Sequence, residues 1–228
     1  MSELTILKQP IALRQEHIAT KTTALRLKCT SRVGGDYAVS AVPTGHSSSS
    51  DPSESDLLFK IDGNITSWSQ RRFFRDASGL PLFELYRKSA GVTWFVGIPG
   101  GKSEQPLATL APRWNMLKDK CDMYVANAAA GGDEAVLAVR GQDVWKRWTH
   151  VYADDNNNAM VMRVKLANIM AVYLPGKLIT WDIEVAEGMD LSLVNAIMLV
   201  RCSFIIGLRL TYVPGCSYWG FSGRKSVQ

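Results

Sequence analysis

The stretch from Leu191 to Ile206 limits the fold more than any other part of the chain. Asp190 before it suits an N-cap and Gly207 after it suits the C′ position, which frames a helix of about four to five turns. Leu191, Leu193, Val194, Ile197, Met198, Leu199, Val200, Phe204, Ile205 and Ile206 cover most of its circumference. A helix apolar nearly all round has to be enclosed by protein or by lipid. Leu191 to Leu210 is the longest apolar window, yet it holds Ser192, Asn195, Arg201, Cys202, Ser203 and Arg209. A central Arg costs at least about 2.5 kcal/mol in a membrane span, so no transmembrane span is expected. After Gly207, Leu208 to Val213 is expected to form a strand.

The rest of the chain reads as short strands. Asp36 to Val42, Leu57 to Ile61, Arg71 to Phe74, Leu82 to Arg87, Val92 to Ile98, Met123 to Ala126, Ala135 to Val139, Thr149 to Tyr152, Met160 to Leu166, Ile169 to Leu174 and Leu178 to Val185 are apolar or alternating runs. Turn formers part them at Asp62-Gly63-Asn64, Asp76 to Gly79, Pro99-Gly100-Gly101, Asp154 to Asn158 and Pro175-Gly176. Runs of this length and spacing predict antiparallel β structure. Pro43 to Ser55 is polar and Ser-rich and reads as a flexible surface loop. A chain of 228 residues fits one domain, 1–228, with its core over about 26–213, and buries about 70% of the surface that its unfolded form exposes. An all-β chain with one late apolar helix predicts a closed antiparallel barrel around that helix.

The chain also repeats itself. Ile61-Asp62-Gly63 matches Val139-Arg140-Gly141, Phe73 matches Val151, and Asp76 matches Asp154, all at an offset of 78 residues. Past the turn, an offset of 79 sets Phe83 and Leu85 against Met162 and Val164. Two copies of a strand set point to one pseudo-symmetric barrel rather than to a solenoid, which needs more copies of a shorter unit.

Leu58 to Gly63 (LFKIDG), Arg75 to Gly79 (RDASG) and Leu82 to Lys88 resemble strands of the LURP-one-related family. Val185 to Val194 resembles that family's run into its central helix. The resemblance covers roughly residues 26–213. It implies the tubby C-terminal-like fold, shared with phospholipid scramblases: a closed β-barrel of about 12 strands, a form without sheet edges, wrapped around a hydrophobic C-terminal helix. The Ser-rich insertion and the polar tail 214–228 depart from the family pattern. Tubby proteins bind phosphoinositide head groups through basic residues, so the resemblance carries phospholipid binding by analogy.

Motifs for chemistry are missing or incomplete. Gly100 to Ser103 echoes the end of a phosphate-binding loop, but Val96 stands where its first Gly belongs, and a hairpin turn fits better. Cys216 to Trp219 resembles a cysteine-nucleophile segment, yet His17, His46 and His150 all precede it and such an enzyme needs its His downstream. Neither Cys-x-x-Cys nor His-x-x-x-His spacing occurs, so no metal or other cofactor is expected. Cys29, Cys121, Cys202 and Cys216 are scattered, and residues 1–20 show no apolar core behind a basic start. A reduced, intracellular protein without a secretory signal is therefore expected.

Lys plus Arg number 26 against 21 for Asp plus Glu, a net charge of +5, which mildly favours anionic partners. The candidate contact residues are Arg71, Arg72, Arg75, Arg87 and Lys88, on two strands joined by the Asp76 to Gly79 turn. Alternation sets some of them on one outer face, able to meet the phosphates of an anionic head group. Pairing with Asp76 and Glu84 is the competing use of the same cations. Lys146, Arg147, Arg163 and Lys165 form a weaker second patch. The leading reading is a non-enzymatic binding module, cytoplasmic with peripheral membrane association, that contacts an anionic phospholipid surface or a protein partner. Three alternatives stay open: a scaffold barrel with no lipid ligand, a scramblase-like membrane protein, and an enzyme whose pocket competes with the helix for the barrel interior. Nucleic-acid binding lacks a reader motif.

Overall fold

Alternating side chains let each strand bury one face, and here the strands pair in chain order until the last meets the first. They are β1 (Thr23–Cys29), β2 (Tyr37–Ala41), β3 (Leu57–Gly63), β4 (Arg72–Asp76), β5 (Pro81–Arg87), β6 (Trp94–Gly97), β7 (Ala108–Arg113), β8 (Lys120–Ala126), β9 (Glu134–Gly141), β10 (Trp148–Ala153), β11 (Ala159–Leu166) and β12 (Thr180–Val185). Every neighbouring pair is antiparallel, and β12 pairs with β1 to close the barrel. The computed structural model describes residues 3–31, 35–42, 56–63, 70–87, 91–101, 105–113, 120–143, 147–153, 159–174 and 177–212, without the side chains of 172, 173 and 202–212. The expected loop Pro43 to Ser55, the turns at Asp154 to Asn158 and Pro175-Gly176, and the tail 214–228 lie outside the described residues.

Among the described residues two α-helices complete the fold: α1 (Met170–Tyr173) and α2 (Leu191–Tyr212). From Ser192 to Val200, α2 is buried on every side, with Ala196, Ile197 and Val200 no more than 2% exposed. The side chain of Phe204 lies outside the described residues. Asp190 caps the helix, its Oδ1 accepting the Ser192 N–H at 2.6 Å and the Leu193 N–H at 3.4 Å. Eleven residues on, Arg201 Nη2 donates to Thr149 Oγ1 at 2.7 Å, where β10 begins. That length of helix rises about 15 Å, so α2 runs through the barrel from one end to the other. A segment upstream of β1 closes the first end. Leu7, Ile11 and Leu13 join the core, and the Ile11 and Ala19 N–H groups donate to Gly188 and Met189 carbonyls at 3.0 and 2.9 Å.

Two expected strands are helical instead. Leu208 to Tyr212 continues α2, because one glycine inside a helix costs only about 1 kcal/mol, and Val213 lies outside the described residues. Ile169 to Leu174 contains α1. There the Asn168 side chain accepts the Met170 N–H at 2.9 Å and turns the chain before an extended run can form. In turn, β1 and β7 form strands where none was expected.

The repeat holds strand for strand. Ile61 and Val139 fall on β3 and β9, and Phe73 and Val151 on β4 and β10, six places apart around twelve strands. Residue matching slips by one in β4: Ile61 faces Phe74 across the ladder, whereas Val139 faces Val151. Phe74, buried like Val151, is therefore the true counterpart, and Phe73 lies on the outer face. Both halves then carry a β-bulge at the same place, after Phe74 and after Val151. The extra residues, Leu82 and Val161, are buried. Their carbonyls accept from Arg14 Nη2 at 3.0 Å and the Ala186 N–H at 2.9 Å. Asp76 opens its turn as expected, with Oδ1 accepting the Leu80 N–H at 2.8 Å and Gly79 at a φ of 90°. Gly63 in the LFKIDG strand is required by crowding, since a Cβ there would sit 2.3 Å from the Gly35 carbonyl oxygen.

Asn195 faces the barrel interior at 0% exposure, and neither side-chain atom has a partner among the described residues. A buried amide without hydrogen bonds costs about 1–3 kcal/mol. Asn195→Leu keeps the branched outline and is expected to stabilise the barrel by about 1–2 kcal/mol, read as a raised midpoint in thermal melting. A lowered midpoint would mean that the amide is satisfied by bound water.

Candidate functional site

The cations expected to cluster on β4 and β5 divide among three environments. Arg71 lies beside Tyr86, 5.5 Å from the ring centroid, and its Nη1 donates to both oxygens of the buried Glu84 at 3.1 Å. Arg72 shares the inward face with Phe74, is 7% exposed, and lies 5.6 Å from the Tyr37 ring centroid. Arg75 points outward and donates to Asp62 Oδ2 at 2.9 Å. Arg87 lies 5.8 Å from the Trp94 ring centroid, with a buried Nε that has no acceptor among the described residues. Lys88 lies outside the described residues. Arg75 sits by the Asp76 turn, whereas Arg71, Arg72 and Arg87 sit at the opposite end of the same strands. The hairpin thus separates the outward cations rather than gathering them.

The second patch is more continuous. The barrel's outer wall carries a groove of about 290 Å³ over β1, β12, β11 and the start of β10. Register builds it in two rows. Arg26, Asp182, Lys165 and Trp148 are cross-strand neighbours in one row, and Glu184, Arg163 and His150 in the next. Arg26 Nε donates to Asp182 Oδ1 at 2.9 Å, Arg163 pairs with Glu184, and Lys165 Nζ lies 5.3 Å from the Trp148 ring centroid. Arg147 is exposed beside it, and Lys146 lies outside the described residues. Sequence reasoning missed Arg26, Asp182 and Glu184. Their signal is present in the alternation of ALRLK and TWDIEV, where charged residues occupy every second position.

Ion pairing continues round the wall. Asp122 is held by Arg113 and by Arg140 Nη2, the latter at 2.7 Å. Burial, and then the neighbouring Arg163, lowers the His150 pKa and favours its neutral form. Burial, with the Asp122 charge added, pushes the Cys121 thiol up to about 12, which makes it a poor nucleophile. Among the described residues no group of three or more His, Cys, Asp or Glu is placed to hold a metal. Residues 216–219 and Lys102-Ser103 lie outside the described residues, while Gly100 and Gly101 form the expected turn, closed by the Gly101 N–H to Ile98 carbonyl bond at 3.0 Å.

The family model described as LURP-one-related matches residues 41–202. No curated protein matches the chain. Among solved structures, the X-ray structure of a protein from Arabidopsis thaliana is similar, with a TM-score of 0.58 and 16% identity over 86% of this chain and 98% of that one. At that identity the likeness shows the fold alone.

Proposed function

Because the chain belongs to the LURP-one-related family, we propose that it is a non-enzymatic barrel module that associates peripherally with anionic phospholipid, head groups included. The observation that carries this reading is the position of α2. Ser192 to Arg201 of the longest apolar segment lie buried inside the barrel, and among the described residues no helix is long and apolar enough to cross a membrane. What the wall offers outside is charge, much of it Arg and Lys, in an arrangement that lacks a nucleophile–base pair among the described residues. Cys29 and Cys121, both buried and neither in a disulfide, fit the cytoplasmic location that the reading carries.

Each cation near an anionic membrane contributes about 1 kcal/mol, so three acting alone give only millimolar binding. Flotation with phosphatidylserine or phosphoinositide vesicles is expected to carry the protein, with binding lost on plain phosphatidylcholine and weakened by raised salt. Arg72 is unsuited to a charge-reversal test, since a carboxylate at that buried position would unfold the wall. Protein that stays in solution in every vesicle mixture would favour a protein-interaction barrel with no lipid ligand.

A further inference from the structure

We propose that the end of the barrel from which α2 emerges is the face that meets the phospholipid surface, with the segment around α1 as its apolar tip. This rests on the phospholipid reading above and specifies where the contact is made. Strand direction alternates, so odd-numbered strands end and even-numbered strands begin at this end. Lys120, Arg147, Lys165 and Lys177 are exposed there, with Arg71 and Arg87 beside them. Among the described residues, the carboxylates at this end are engaged. Asp36 and Asp143 each accept a backbone N–H at 3.0 Å, from Gly63 and Trp148, and Asp62 pairs with Arg75. The opposite end carries Glu16, Asp56, Asp76, Asp133, Glu134 and Glu187 against Lys8, Arg14, Lys21 and Arg75, and Arg14 is paired with Glu16. A molecule polarised along its axis in this way is steered basic end first onto an anionic surface.

The same end bears the apolar side chains suited to an interface. Met170, Leu174 and Leu178 are 53%, 39% and 36% exposed within nine residues of chain, and Val92 at the same end is 64% exposed. Buried Ala171 and the packing of α1 on α2 hold that segment in place, while Lys165 and Lys177 flank it. Apolar side chains ringed by cations are the composition of a segment that lies in the lipid interface. Ile6, Leu80 and Ile98, exposed at the opposite end, serve as controls.

The test is vesicle flotation of the full chain with three triple variants, each first checked for an unchanged thermal midpoint. Lys120→Glu with Arg147→Glu and Lys177→Glu is expected to weaken phosphatidylserine binding at least roughly a hundredfold, from about fivefold per lost cation. Met170→Ser with Leu174→Ser and Leu178→Ser is expected to weaken it about tenfold and to leave the remainder fully salt-sensitive. Ile6→Ser with Leu80→Ser and Ile98→Ser is expected to change nothing. If the wild type binds and the first two variants match it, or the control weakens equally, the assignment of this end is overturned while phospholipid binding stands. A wild type that ignores every vesicle overturns both. Binding to RNA but to no vesicle, lost in the first variant, would assign the basic end to nucleic acid and overturn the lipid contact.

Discussion

Ile197→Asp is expected to abolish the cooperative fold. Ile197 is 1% exposed in the middle of α2, surrounded by the inward faces of the strands. The substitution forfeits about 1.5–3 kcal/mol of apolar burial. It also leaves a carboxyl group without a designed partner, at several kcal/mol if ionised and about 1–3 kcal/mol if protonated. Domains of this kind hold about 5–15 kcal/mol in total. A barrel closed around a helix cannot shed that cost locally, because moving α2 opens the contacts of many strands at once. Insoluble expression or a lost thermal transition is the expected result. Ile197→Val, which removes one methylene, is expected to cost only about 1 kcal/mol and to melt cooperatively. A soluble Asp variant with the wild-type midpoint would show that α2 is not what the strands close upon.

The helix was legible because its composition admits one solution, enclosure. Its extent past Gly207 was not, because Gly207 as a C′ residue and Gly207 inside a helix look alike in sequence. β7 escaped notice because Pro112 reads as a strand breaker. In the barrel, Pro112 still faces Cys121 of β8, but the β6 ladder has already ended at Leu110, so no bond to β6 is lost there. The repeat was legible as an order of strands but misread by one residue in β4. Bulges after Phe74 and Val151 make register a property of pairs, and one strand's sequence does not display it.

The basic sites were legible as residues and illegible as places. Whether Arg72 points out or in depends on the parity that Phe74 sets by facing the core, and Arg71 and Arg75 keep the outer face. The axial separation of charge is invisible along the chain, since Asp76 and Arg72 are four residues apart yet belong to opposite ends. It appears only once strand direction is known.

Asp190 is the residue whose replacement is expected to separate closure of the barrel end from capping of the helix. Its carboxylate is fully buried and divides its oxygens between two tasks. Oδ1 serves α2, accepting from the Ser192 and Leu193 N–H groups and from Ser192 Oγ at 2.7 Å. Oδ2 serves the upstream segment, accepting the Leu13 and Arg14 N–H groups at 2.9 and 3.0 Å. Asp190→Ala removes a cap worth about 1–2 kcal/mol and strands two further buried or part-buried donors at about 1–3 kcal/mol each. A loss of about 4 kcal/mol is expected, a fall of roughly 10–15 °C in Tm for a chain of this size. Asp190→Asn is the sharper variant. Its one oxygen can keep the helix cap, but its NH2 group then confronts two N–H donors and repels the upstream segment. Hydrogen exchange is expected to show early exposure of Leu13 and Arg14 in the Asn variant while α2 stays protected, and exposure of both in the Ala variant. Protection of Leu13 equal to wild type in the Asn variant would transfer the anchoring to Asn127, which accepts the Ala12 N–H at 3.0 Å and donates to the Pro10 carbonyl at 2.9 Å. Asp190 would then be a helix cap and nothing more.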